Sequence, residues 1–280
     1  MSVRLAVITV LITGALVLAG LWVGANVDLL PVQASINAPV YDELFQVLFS
    51  IGTMLFLGVV GMLIYSLVRF RRREGDLGDG AAIEGNLPLE LVWTAIPAVV
   101  VLFVGLYSYN IFDRMGGMVP LADHGAMHAM AASEMAATEM AGMQAPSEQV
   151  WGGISASAGV TPAVSVEVTA MQFAFIFRYP DSNIISGELH VPEGELVELR
   201  MKANDVIHAF WVPQFRLKQD IIPGQPTVLA FTPNRPGTYP IVCAELCGPY
   251  HGGMRTSVVV HERDAFDQWL AQNTPPPVAT

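Results

Sequence analysis

Charge is scarce in this 280-residue chain, where Asp, Glu, Lys and Arg together make up 14%. Cysteine is scarcer still, present only as Cys243 and Cys247. So little charge beside a hydrophobic fraction of 52% is not the composition of an ordinary soluble domain and points to a membrane protein. Two cysteines exclude a disulfide framework and call for a local explanation. Basic residues are the minority sign, 14 Lys and Arg against 25 Asp and Glu, for a net charge of −11. That balance argues against a nucleic-acid partner and for a cationic one. GxGxxG, the P-loop, GxSxG, HExxH and CxxCH are also missing. No motif therefore serves a dinucleotide, a nucleotide phosphate, a serine nucleophile, a helical zinc site or a covalently attached haem.

What the chain does have is three uncharged apolar runs. Leu5–Asn26 follows a lone Arg4 and fits either a signal peptide or an extra transmembrane helix, with the small residues Gly24 and Ala25 where a peptidase would cut. Phe45–Val68 and Leu91–Phe112 are 24 and 22 residues long. At about 1.5 Å per residue, each can cross a hydrocarbon core of about 30 Å. Between them RFRRREGDLGDG carries Arg69, Arg71, Arg72 and Arg73, and Lys/Arg placement keeps such a loop cytoplasmic. The expected architecture is a transmembrane helical hairpin within residues 27–113, carrying an external domain on the periplasmic or lumenal side.

Residues 114–160 are expected as a linker rich in Met and Ala. Seven of the 13 methionines fall in Met115–Trp151, with His124 and His128. A low-complexity tether is one reading and a weak Cu(I) site the other. From Val164 the pattern turns to short alternating runs, VSVEVTA, QFAFIFRY, LVELRMK, TVLAFT and TSVVVH, punctuated by Pro and Gly. Such spacing predicts an all-β sandwich or Greek-key barrel over residues 161–280, closed by a short helix at Asp264–Gln272. His190 and His261 are expected as surface strand residues.

The chemistry concentrates in CAELCGPYHGGM, Cys243–Met254. Cys247, His251 and Met254 place a thiolate, an imidazole and a thioether on one loop. With His208 from DVIHAFWVP they make the His2Cys set with a weak axial Met that suits copper electron transfer. Cys243 is then a surplus thiolate. Two thiolates four residues apart can bridge two coppers, one histidine capping each, with Met254 and the Glu245 carbonyl filling the remaining positions. A disulfide and a structural zinc site are the alternatives, although zinc rarely recruits methionine.

With these residues on the page, the sequence resembles subunit II of the haem–copper cytochrome c oxidases. The resemblance covers nearly everything from about residue 40 except the Met-rich insert. It is most specific in DVIHAFWVPQFRLKQDIIPG, GTYPIVCAELCGPYHGGM and PLELVWTAIP, and FRRREGD and IEGNLPLELVWTAIP are similar to the cyanobacterial branch. It implies a cupredoxin-like domain with a dinuclear CuA centre. That centre takes electrons from a soluble carrier, a cytochrome c or a plastocyanin-like protein. It passes them to haem in subunit I, where oxygen is reduced to water with proton pumping. Subunits I and III and membrane lipid are the implied partners, in the plasma or thylakoid membrane.

The family's six copper-ligand positions fall on His208, Cys243, Glu245 through its carbonyl, Cys247, His251 and Met254. Glu245 also matches the carboxylate of a magnesium or manganese ion shared with subunit I. Glu90 matches a carboxylate at the mouth of a proton channel, and it equally suits a helix-start carboxylate. Gln172 and Asp205 match positions near the donor-docking face. Where the family uses a tryptophan for electron uptake, this chain has Phe173. By period 2, Phe173, Phe175, Phe177 and Tyr179 also fit a core-facing aromatic row.

Two other classes share parts of this pattern. A quinol-oxidase subunit has the same fold and hairpin but lacks the copper ligands present here. A membrane-anchored copper chaperone for oxidase assembly also carries C-x3-C, but its histidine lies far downstream. Here His251 follows Cys247 by four residues, and no βαβ pattern surrounds the loop.

Overall fold

A computed structural model describes residues 3–72, 74–75, 78–80, 82, 84–117, 153–154 and 160–276. Most of the Met-rich segment, with His124 and His128, lies outside the described residues. The chain divides into two compact units, Met1–Leu29 with Asp42–Ile111, and Leu30–Tyr41 with Phe112–Thr280.

The first unit is built from three helices, α1 (Val3–Asn26), α2 (Ala38–Arg69) and α3 (Leu87–Arg114). All three are long and apolar enough to cross a membrane, and large side chains such as Val59, Met62 and Val101 face outward. Helices apolar all round suit lipid, where each backbone group is satisfied within its own helix. Asn86 opens α3 by accepting the Leu89 N–H, and Glu90 returns the favour at the Asn86 N–H, 3.1 Å.

α1 and α2 run antiparallel along a seam of small residues. Leu16 meets Gly58, Gly20 meets Met54 and Ser50, and Gly24 meets Ser50 and Gln46. A Cβ on Gly20 would stand 2.6 Å from the Ser50 carbonyl, so only glycine allows this approach.

The second unit is a two-sheet sandwich. Its strands are β1 (Gly153–Ile154), β2 (Val164–Met171), β3 (Ala174–Tyr179), β4 (Ile184–Ser186), β5 (Leu189–Pro192) and β6 (Val197–Ala203). They continue with β7 (His208–Val212), β8 (Leu217–Ile221), β9 (Thr227–Phe231), β10 (Gly237–Cys243) and β11 (Arg255–His261), followed by helix α4 (Arg263–Asn273). One sheet runs β1-β9-β6-β2-β3-β4 and the other β5-β11-β10-β7-β8. Alternation explains the faces. Val166, Val168 and Ala170 of β2 point into the core with Phe175, Phe177 and Tyr179 of β3.

The structure moves two expected boundaries. Residues 30–41, expected with the hairpin, belong to the sandwich. Ala34 and Ile36 donate backbone bonds to Gln214 and Thr232, Asn234 donates to Ala34, and Ser35 and Arg216 tie the segment from their side chains. Likewise Gly153 and Ile154, expected within the linker, pair in parallel with Val228 and Leu229. His190 and His261, expected as surface strand residues, lie on strands β5 and β11 and form a half-buried pair with Nδ1 and Nε2 2.8 Å apart. Trp269 of α4 stacks on His190 with ring centroids 4.2 Å apart.

Candidate metal centre

Register places the site. β10 and β11 pair antiparallel from Gly237↔Val260 to Val242↔Arg255. Cys243 therefore ends one strand where Met254 precedes the next, and the Cys243 N–H donates to the Met254 carbonyl at 3.0 Å. The residues between form the connecting loop and bring Cys247 and His251 back over the strand ends. β7 pairs on the other side of β10, Cys243 opposite Phe210, so His208 at the start of β7 arrives at the same end of the sheet.

The donor atoms converge. Cys243 Sγ lies 3.8 Å from His208 Nδ1, 3.4 Å from the Glu245 carbonyl oxygen and 3.9 Å from Cys247 Sγ. Cys247 Sγ lies 3.5 Å from His251 Nδ1 and 3.8 Å from Met254 Sδ. The cysteines are free, and 3.9 Å between their sulfurs is far beyond a disulfide's length of about 2.0 Å. First-row metals bind thiolate at about 2.3 Å and imidazole at about 2.0–2.1 Å, so donors sharing one such ion lie about 3.3–3.8 Å apart. The observed spacings fit that scale. His208, Cys243, Cys247 and Met254 are buried, while His251 is partly exposed.

Electrostatics and outer contacts define the site further. Burial pushes the Cys247 thiol up to about 11, and the neighbouring Cys243 adds to the effect. Two buried thiols side by side resist ionisation unless a cation joins them. Burial would also raise the Asp205 carboxyl, but bonds from His208 and from the Gln172 and Val206 amides outweigh it and hold it low. Asp205 Oδ1 is 2.8 Å from His208 Nε2, leaving Nδ1 for the metal side. The Glu245 side chain points the other way, 2.7 Å from Lys218 Nζ. That bond is the main cause of the raised lysine pKa.

The remaining predicted residues divide. Phe175, Phe177 and Tyr179 form the expected core row, but Phe173 leaves it. Phe173 sits in the β2–β3 turn, half-buried, its ring 5.4 Å from that of Tyr250 in edge contact and close against Gly248. Gln172 donates from its side chain to the Cys247 carbonyl in the cysteine loop, and Asp205 is bonded to the Gln172 backbone N–H and to His208. Glu90 belongs to the helical unit, where it caps α3. Neither the Gln172 side-chain bond to Cys247 nor the Tyr250 contact with Phe173 has a signal in the sequence. The i, i+3 spacing of Asp205 and His208 was the one signal available for the carboxylate–imidazole tie.

Comparison with known proteins agrees with this geometry. Residues 20–111 match the family model described as cytochrome c oxidase subunit II, transmembrane domain, and residues 169–262 match that of its periplasmic domain. Cytochrome c oxidase subunit 2 of Thermostichus vulcanus is 52% identical over 272 residues, covering 91% of this chain and 82% of the relative. That of Synechocystis sp. is 45% identical over 284 residues, covering 99% and 85%. The crystal structure of the periplasmic domain of subunit II of cytochrome oxidase from Bradyrhizobium japonicum is 26% identical. It covers 41% of this chain and 95% of that one, with a TM-score of 0.39. A two-sheet β-sandwich that follows apolar helices in the chain, the His and Cys side chains at one end of a sheet, and both family domains in order lead to one assignment: the chain belongs to the cytochrome c oxidase subunit II family.

Proposed function

We propose that this chain is the electron-uptake subunit of a proton-pumping terminal oxidase. Its external domain would hold two coppers on His208, Cys243, Cys247, His251, Met254 and the Glu245 carbonyl. The observation that carries this is the convergence of two thiol sulfurs with two imidazoles and a thioether within 3.9 Å steps. Bound there, the copper pair supplies a one-electron relay between a soluble donor and haem in subunit I. The chain's own residues hold that relay still and dry. Hydrogen-bonded strands β7, β10 and β11 carry the ligands, so the donors need to move little when the charge changes. Burial of His208, Cys243, Cys247 and Met254 keeps water from them.

Around this centre we assign the donor-facing rim to Phe173, Tyr250 and Leu246, with Asp205 adding negative charge at its edge. Glu90 is proposed at the mouth of a proton channel of the complex, a task compatible with capping α3. At Glu245, an interface magnesium or manganese ion shared with subunit I would compete with the Lys218 ammonium for the same carboxylate.

Metal analysis of the copper-loaded full chain should give two coppers per chain, with an electron paramagnetic hyperfine pattern spread over two copper nuclei. A single copper per chain overturns the proposal. Cys247→Ser should abolish the shared pattern. Met254→Leu should keep both metals and shift the reduction potential, since a thioether is the weakest donor of the set.

A further inference from the structure

We propose that Gln172 is a positioning residue of the copper centre, tying His208 to the cysteine loop, and not a docking contact for the donor. The proposal rests on the copper assignment above. Gln172 stands in the turn between β2 and β3 of the six-stranded sheet. The six copper donors all come from the five-stranded sheet and its β10–β11 loop. From across the sandwich, the Gln172 side-chain amide donates to the Cys247 carbonyl at 2.5 Å. Its backbone N–H donates to Asp205 Oδ2 at 2.7 Å. The other oxygen of that carboxylate faces His208 Nε2 at 2.8 Å. One residue thus holds the peptide group of one ligand directly and the ring of another through a single carboxylate.

Gly248 shows how closely turn and loop fit. A Cβ there would lie 2.8 Å from Gln172 Nε2 and 3.2 Å from a Phe173 ring carbon, and its φ of +138° is one that side-chain-bearing residues rarely adopt. The Cys247–Gly248 peptide is therefore both packed against the turn and hydrogen-bonded to it. Fixing that peptide fixes the direction of the Cys247 side chain, and with it the sulfur between Cys243, His251 and Met254. Outer bonds of this kind orient ligands, and their loss typically lowers metal affinity about 10–100-fold. An amide donor already committed to a main-chain carbonyl has that much less to offer an incoming protein.

The test uses the detergent-solubilised full chain and three readouts. These are copper affinity by chelator competition, the hyperfine pattern, and the dissociation constant for a basic c-type cytochrome. Gln172→Met keeps the length and removes the donor, and Gln172→Lys returns one. Gln172→Met should weaken copper binding about 10-fold, alter the hyperfine pattern and leave cytochrome binding unchanged. Gln172→Lys should recover the copper affinity. Wild-type copper affinity and hyperfine pattern in Gln172→Met overturn the proposal, and weakened cytochrome binding alongside them restores the docking role. Failure of the wild-type chain to hold two coppers defeats the underlying assignment and is visible before any variant is compared. If metal-free Gln172→Met loses the near-ultraviolet circular dichroism of its packed aromatics, Gln172→Asn replaces it, its amide one methylene short of Cys247.

Discussion

At the scale of single residues, the proposed centre would depend on groups that are not themselves ligands. Asp205 accepts from two backbone amides and from His208, which selects the imidazole tautomer whose Nδ1 faces the sulfurs. Asp205→Ala should free that ring. Copper affinity by chelator competition should fall about 10-fold, and the hyperfine pattern should change at the His208 side. An unaltered spectrum would return Asp205 to a purely electrostatic role. The side chains that converge in the cysteine loop were legible in the sequence because soft donors crowded into twelve residues have few other uses. The ties were not. Gln172 and Cys247 are 75 positions apart, and nothing in either neighbourhood announces that a turn of one sheet will grip a loop of the other. Period-2 alternation alone would leave Phe173 in a core-facing row. The turn that begins after Met171 takes it out of that row and sets its ring against Gly248 and Tyr250.

At the scale of elements, alternating and short apolar runs found β2, β3, β6, β9 and β11, and β10 was not among them. β10 contains Gly237 and Pro240, residues that ordinarily argue against a strand; Pro240 is accommodated with its side chain exposed. The first apolar run was ambiguous because length and composition suit a leader and a membrane span equally. We propose that it is a retained membrane span. Gly24, beside the expected cleavage point, lies against Ser50 and Gln46 inside a helix that continues to Asn26. The seam predicts that membrane-isolated protein retains α1, which intact mass will show; a mass lacking residues 1–25 contradicts it. Gly24→Leu should loosen α1 from α2 and expose this stretch to added protease. α4 is held differently. Burial first, and then the His261 ring, lower the His190 pKa to about 4, and burial lowers that of His261 too. An unfolded imidazole takes its proton near pH 6.5, but folded His190 refuses it until about 4. The unfolded state therefore binds more protons in that window, so stability is complete above it and falls as pH drops through it. Thermal melts of the solubilised chain should decline by several degrees from pH 7 to 4.5, and His190→Gln should flatten that decline.

At the scale of the whole molecule, the direction of the chain and its field act together. Lys/Arg placement in the sequence assigns the arginine-rich stretch between α2 and α3 to the cytoplasmic side, and the chain that follows α3 to the other. The exported part carries 12 acidic residues against 8 basic from residue 160 on. At the end that carries the cysteine–histidine cluster Leu246 and Tyr250 are 84% and 72% exposed, an unusual pair of apolar side chains to leave beside a buried cluster of soft donors. The two features affect different parts of the encounter with a donor. Long-range charge sets how fast a basic carrier arrives, and salt screens it over about 8–10 Å at physiological strength. Contact between apolar rims acts only once the partners touch, and salt screens it little. Stopped-flow reduction by a basic c-type cytochrome should therefore slow steeply as ionic strength rises, and reduction by an acidic carrier should not. Leu246→Ser with Tyr250→Ser should shorten the life of the complex and lower the rate at every salt concentration, leaving the slope against ionic strength as in wild type. A changed slope with an unchanged high-salt rate would mean that the rim is not where the donor sits, and that the acidic surface elsewhere on the sandwich receives it.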